Sequence, residues 1–218
     1  MVRLRALQSL WQRPLRRLAA DERGSSLLEF AIVLPLLVVF VVGIYDFSGA
    51  FNLKQKIDQA AQEGAILAGA QPMTDLTLGS STTPTSPQSV LAVADAVFNS
   101  LAGSGVLPNA NTGTCVPPTT STSETGFAWT YQVTGCSSNP GGASTNCGTF
   151  TDTSDTLSIV INRGVVVTGT TPVVVGSTVT VVYDYDWRFN SVIQLLFPGA
   201  RYGARTCLLE TSSVHNQI

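Results

Sequence analysis

Apolar residues along the chain fall into three regimes. From Leu27 to Tyr45 almost every position is hydrophobic, and Glu29 is the only charge. From Asp46 to Ala70 the apolar positions thin to Ala50, Leu53, Ile57, Ala60, Gly64 and Leu67, separated by threes and fours. That spacing is the stripe of a helix laying one face on a partner. Ala61, Ala65 and Ala68 add a small-residue surface that lets another element approach closely. At 1.5 Å per residue, the first regime covers about 28 Å, close to the hydrocarbon thickness of a bilayer. The economical reading is one helix of about 45 residues, half in lipid and half outside, ended by Gln71-Pro72. Two helices with a break near Gly43 or Gly49 are the alternative.

The third regime has period two. Residues 72–86 are rich in Ser, Thr and Pro and read as a linker; Ser86-Pro87 then reads as an N-cap with proline at the first helical position. Val90, Ala94, Val97 and Leu101 form the face of a short helix, capped by Gly103. Beyond it, Phe127, Trp129, Tyr131 and Val133 alternate with smaller or polar residues. Leu157, Ile159 and Ile161 repeat the alternation, and so do Val179, Val181, Tyr183 and Tyr185, with Thr178, Thr180 and Asp184 on the other face. Residues 204–211 read as a last strand, and 134–155 as a long loop. The fold class is therefore α+β: a long N-terminal transmembrane helix extending into an exported domain with an antiparallel sheet that buries one side. The divisions are a basic leader, 1–24; a transmembrane and extended helix, 25–70; and an extracytoplasmic domain, 71–218.

Charge orients this scheme. Residues 1–45 carry six arginines against Asp21, Glu22 and Glu29, for +3; the remainder carries six basic and eleven acidic residues, for −5. The positive-inside rule puts the head in the cytoplasm and the body across the membrane, in the periplasm or outside the cell. An acidic body lacks the clustered Lys and Arg that nucleic acid requires. Cys115, Cys136, Cys147 and Cys207 all lie in the exported part, which suggests two disulfides among three possible connectivities. The short spacing of Cys136 and Cys147 suits a local clip, leaving Cys115 to reach Cys207. A metal site is not expected, because no CxxC pair exists and His215 is the only histidine. Asp152 with Asp155, and Asp184 with Asp186, could hold calcium, but paired loop carboxylates are more often solvated surface. No nucleophile motif is present, so no enzyme and no cofactor are expected.

The chemistry gathers where leader meets span. In Arg23-Gly24-Ser25-Ser26-Leu27-Leu28-Glu29-Phe30, a boundary glycine is followed by four residues, a glutamate and an aromatic. This resembles a prepilin-peptidase site, with cleavage after Gly24, Ser25 as the first mature residue and Glu29 as the fifth. A carboxylate at mid-membrane costs about 2.5–3.5 kcal/mol on insertion scales, so it needs a partner. Cleavage would supply one, a new α-amine at Ser25 with an unperturbed pKa near 8. Between staggered neighbouring helices, Glu29 of one copy can meet that amine of the next. Two plainer readings compete: a glutamate that snorkels to the interface, and a secretory signal cut after Ser48-Gly49-Ala50.

The stretch from Arg23 to Ala70 resembles the TadE-like family of the tight-adherence (Flp) pilus system. The resemblance rests on Arg23, Gly24, Glu29, Phe30, Ala31, Leu34 and Pro35, then Gly43 and Phe47, then Ala60, Ala61, Gly64, Ala65 and Ala68. A weaker likeness covers Val179, Val181, Tyr183 and Tyr185, a short apolar segment and a strand closing on Glu210. Residues 71–175 match nothing recognisable. The resemblance implies a pilin-like minor pseudopilin of a bacterial inner membrane, single-pass, cut by a prepilin peptidase. Its partners would be other pseudopilins, with Glu29 and Phe30 serving assembly of the pilus or its anchoring. The alternative is a membrane-tethered extracytoplasmic binding module unrelated to pili, in which Trp129 or Trp187 would line a pocket instead of packing in the sheet.

Overall fold

The computed structural model describes residues 25–76, 84–136, 146–147, 150–151, 156–167, 174–187 and 205–215. The leader with Gly24, residues 77–83, most of the 134–155 loop with Asp152 and Asp155, and the segment 188–204 lie outside the described residues. The chain divides into two compact units, Met1–Tyr45 and Asp46–Ile218.

Helix α1 runs from Ser25 to Ala70 without a break at Gly43 or Gly49, with Pro35 inside it. Helix α2 spans Gln88–Gly103. Strands β1 (Ser123–Thr125), β2 (Ala128–Thr134), β5 (Thr156–Val167), β6 (Val174–Asp186) and β7 (Arg205–His215) form an antiparallel sheet in the order β1-β2-β5-β6-β7. β3 (Asn146–Cys147) and β4 (Phe150–Thr151) make a two-stranded ribbon. The fold is α+β, as the change of period indicates. Sequence missed β1 and the β3–β4 ribbon inside the expected 134–155 loop, and stopped β7 four residues short.

The core of the second unit is the inward face of the sheet under α1 and α2. Trp129, Tyr131, Leu157, Ile159, Ile161, Val179 and Val181 lie on it, fully or almost fully buried. From α1 come Ile57, Ala60, Ala61, Ala65 and Ala68, and from α2 Val90, Val93, Val97, Phe98 and Leu101. Gly64 explains the closeness: a Cβ there would collide with Val97 of α2 and lie 3.3 Å from Val179 of β6. Polar ties join the helices. Ser100 Oγ donates to Glu63 Oε2 at 2.7 Å, and Lys56 Nζ donates to the Ser104 carbonyl at the end of α2, at 2.8 Å.

The outer face of the sheet departs from expectation. Thr180 and Thr211 pair on it at 2.9 Å, yet Thr156, Ser158, Val182 and Asp184 are buried as well, so the sheet is not simply one-sided. The caps of α2 differ too. Pro87 is the N-cap residue and Ser86 does not cap; Ser86 Oγ instead accepts from the Ser121 N–H at 2.8 Å. The orphan N–H of Ser89 is taken by Asp75 Oδ2 at 2.8 Å. At the far end Gly105, at φ +73°, does the work assigned to Gly103. Gly105 N bonds to Ala102 O and Val106 N to Leu101 O, the paired bonds of a Schellman motif.

The disulfide pairing is also corrected. Cys115 is bonded to Cys136, with Cα atoms 4.9 Å apart. The end of β2 returns beside the turn at Thr112–Cys115: Thr114 Oγ1 donates to Thr134 O at 3.0 Å, and Asn109 Nδ2 to Gly135 O at 3.3 Å. Proximity in space therefore overrides the shorter spacing to Cys147. Cys207 is disulfide-bonded as well, and β3, which carries Cys147, lies against β7, which carries Cys207.

Candidate functional site

The first unit offers a helix with no core. Leu28, Phe30, Ile32, Leu36, Phe40 and Ile44 are all exposed, and none of the most apolar window of the span is buried. An amphipathic helix of a soluble fold hides one stripe and wets the other. Here exposed apolar residues run round the helix, with only Val39, Val42 and Gly43 half-buried and Glu29 the one charge, a pattern suited to a hydrocarbon surrounding. Length and composition make the helix compatible with single-pass anchoring in a membrane.

The residues singled out from sequence fall at its start. Ser25 is the first described residue of α1, and Glu29 follows one turn later, about 6 Å along the axis. Glu29 and Phe30 are exposed, Phe30 at 63%. Gly24, on the other side of the expected cut, lies outside the described residues.

In the second unit, α1 is held by two polar fixtures that sequence reading missed. Arg163 is completely buried and donates to the carbonyls of Gln71 (2.6 Å) and Pro72 (2.9 Å) and to Ser89 Oγ (3.1 Å). It therefore satisfies carbonyls just beyond the C-terminus of α1, where a cation also complements the helix dipole. Burial lowers the pKa of its guanidinium, while the charge of Asp75 opposes that. Partial burial pushes the Asp75 carboxyl up, but the Ser89 backbone and hydroxyl bonds, with Arg163, leave it below the ordinary value. Arg163 sits where β5 shifts register against β6, between Asn162 and Val165. Its parity with Leu157, Ile159 and Ile161 was the available signal, a cation on the inward side of a strand.

The second fixture joins α1 to the end of β6. Asp46 is 2% exposed and accepts the Tyr185 hydroxyl at Oδ1 (2.8 Å) and at its carbonyl (3.2 Å). Gly49 makes the room, since a Cβ there would come 2.9 Å from that hydroxyl. Trp187 packs edge-on against both Tyr185 and Phe47, with centroids 5.2 Å apart in each case.

Trp129 is wholly buried, its Nε1 donating to Thr85 Oγ1 at 3.3 Å, so it lines no open pocket. Burial raises the Tyr131 hydroxyl to a pKa of about 12. Among the described residues no group of three or more His, Cys, Asp or Glu is placed to hold a metal.

The family model described as TadE-like protein matches residues 24–65. The likeness read from the motif is therefore shown for that segment, which begins at Gly24 and runs through Glu29 into the buried part of α1. It points to a protein associated with the tight-adherence pilus, a family whose members are typically structural. No curated protein and no solved structure matches the chain.

Proposed function

From the TadE-like segment we propose that this chain is a membrane-anchored minor pseudopilin, cut between Gly24 and Ser25 by a prepilin peptidase. It stays in the bacterial inner membrane with its N-terminus cytoplasmic and its body exported, and it helps assemble or anchor a thin adhesive pilus. One observation carries the reading: the exposed apolar stretch of α1 between Ser26 and Tyr45 bears a single carboxylate, Glu29, fifth after the expected cut, and lies inside the segment 24–65 that the TadE-like family model matches.

The physics is that of an acid in oil. Glu29 in hydrocarbon gains from any cation brought to its depth, and the Ser25 ammonium of a neighbouring subunit is such a cation. Each subunit added in the right stagger brings one carboxylate to one amine, which selects a register. Phe30, exposed beside it, supplies apolar surface to the same contact.

The rival secretory reading fits poorly. A cut after Ala50 would remove Asp46 and Gly49, which seat Tyr185, from the folded body. The tethered binding module loses Trp129, which is core.

Sequencing the N-terminus of protein purified from membranes tests the proposal. A start at Ser25 is expected; a start at Phe51 would mean secretion, and Met1 a plain anchor. Glu29→Val should leave insertion and cleavage intact while reducing co-purification with sister pseudopilins. Undiminished co-purification would remove the pairing of Glu29 with the amine.

A further inference from the structure

By sequence, the apolar span stops at Asp46, the only charge between Glu29 and Lys54. The folded surface tells a different story. Asp46 is withdrawn to 2% exposure and bonded to the Tyr185 hydroxyl, so the next charge that α1 presents to its surroundings is Lys54, whose side chain is 52% exposed. Between them stand Phe47 and Phe51, at 62% and 63% exposure, bordering a shallow groove completed by Ser48, Asn52 and Gln55. Trp187 lies against Phe47 and Tyr185, bringing the end of β6 into the same patch.

We propose that Phe47, Phe51 and Trp187 seat the exported unit in the phospholipid headgroup layer, with Tyr185 masking Asp46 so that α1 presents no exposed charge there before Lys54. The inference rests on the anchor proposed above. The occupant follows from helix arithmetic. With Leu27–Tyr45 filling about 28 Å of hydrocarbon, Phe47 and Phe51 stand about 3 and 9 Å further along the axis. Headgroups occupy roughly 5–7 Å on each side of the hydrocarbon core, so Phe47 falls within them, and Phe51, whose side chain leans back toward the helix N-terminus, reaches their outer edge. Aromatic side chains concentrate at that depth, where an apolar ring meets lipid and a polar edge meets water. A second copy of the chain would need these rings clear of lipid, which the short helical rise from Tyr45 to Phe47 disfavours. The Asp46–Tyr185 bond then has a role beyond fold stability: an exposed carboxylate here would be repelled by anionic lipid.

Full-length protein in phosphatidylcholine–phosphatidylglycerol vesicles tests this. Trp11→Phe with Trp129→Phe leaves Trp187 as the only tryptophan; if that variant does not fold, the Trp187 signal is obtained by subtracting the Trp187→Phe spectrum from wild type. Lipids brominated near the headgroup should quench Trp187 about twofold more than lipids brominated near the bilayer centre, as an interfacial depth requires. Tyr185→Phe should lower the shallow quenching, and Phe47→Ser with Phe51→Ser should lower it further. Quenching of Trp187 by aqueous iodide but by neither lipid would overturn the proposal. So would protection from both quenchers that disappears when the protein is diluted with excess lipid, since a second copy would then be the cover. A Val38→Trp reporter separates the two readings. Deep-lipid quenching of that reporter alongside an iodide-accessible Trp187 defeats the seat alone, and no quenching of the reporter defeats the anchor and the seat together.

Discussion

The two parts of α1, Ser25–Tyr45 and Asp46–Ala70, invert the usual relation between side-chain size and burial. In the first, Leu, Ile and Phe are exposed and of the valines only Val39 and Val42 are half-buried; in the second, the buried positions are mostly alanines, with Gly64 against two neighbours and Ile57 the one large residue sealed away. Bulk facing outward means a surrounding that welcomes it, and small residues facing inward mean close approach by other protein. Hydrophobicity alone does not separate a core helix from a span. Residue size joined to exposure does.

The sharpest way to break that contrast is to make one substitution in each part. Ile57→Ala should destabilise the second unit by about 2–5 kcal/mol, because a sealed side chain leaves a cavity. Ile44→Ala, at a position 70% exposed, should change stability by less than about 0.5 kcal/mol. Denaturant unfolding of the full chain in detergent, followed by the emission of buried Trp129, measures both. Equal effects would mean that the first part hides a core of its own.

Arg163→Met should rank next, at about 2–3 kcal/mol. Methionine fills the space but leaves the part-buried Gln71 and Pro72 carbonyls and the buried Ser89 hydroxyl without their donor, and a hydrogen bond to a charged group contributes about 1.5–3 kcal/mol. An unchanged midpoint would show that water replaces the guanidinium and that the end of α1 needs no clamp.

Asp75→Asn tests the same corner more gently, at less than about 1 kcal/mol near neutral pH, because the amide oxygen still accepts from Ser89 N–H and only the charge facing Arg163 is lost. The folded carboxyl lies below its unfolded value, so its contribution is present above about pH 4 and fades as pH falls through the folded pKa. The gap between wild type and variant should therefore close in acid. A gap that persists at the lowest pH where the protein folds would assign the loss to packing instead of charge.

How much of this was legible in the sequence depends on the distance over which each signal acts. Both helices, the end of α1 at Gln71 and the inward residues of β2, β5 and β6 are written in local periodicity, and the structure keeps them. The likeness to the TadE-like family is equally local, since it needs only Gly24, Glu29 and Phe30 in order, and the family match begins there, at residue 24; the cut at Gly24 stands as a proposal. What escaped was pairing between distant segments. Cys136 joins Cys115 because β2 folds back, Asp75 caps α2 from 14 residues away, and Tyr185 meets Asp46 across 139. Periodicity assigns a residue to a face, but it does not say which partner waits there. Arg163 shows the boundary: its inward parity was visible, whereas the carbonyls it serves are known only once α1 and β5 are brought together.

The smallest effect belongs to Lys54 and Glu210, 3.2 Å apart at the rim where α1 meets β7. Lys54 is half exposed and Glu210 largely covered. Exposed pairs contribute about 0.2–1 kcal/mol and weaken in salt, so Lys54→Ala should cost at most about 0.5 kcal/mol at low ionic strength and nearly nothing at high. Lys54 is also the first exposed charge that α1 presents after the span. If its value lies in marking the limit of the uncharged surface, Lys54→Ala will shift the depth of Trp187 in bromolipid vesicles more than it shifts the unfolding midpoint. If the bond to Glu210 is what matters, Glu210→Gln will reproduce the small stability loss without moving that depth. Two substitutions on one ion pair thus separate what it does for the sheet from what it does for the membrane boundary.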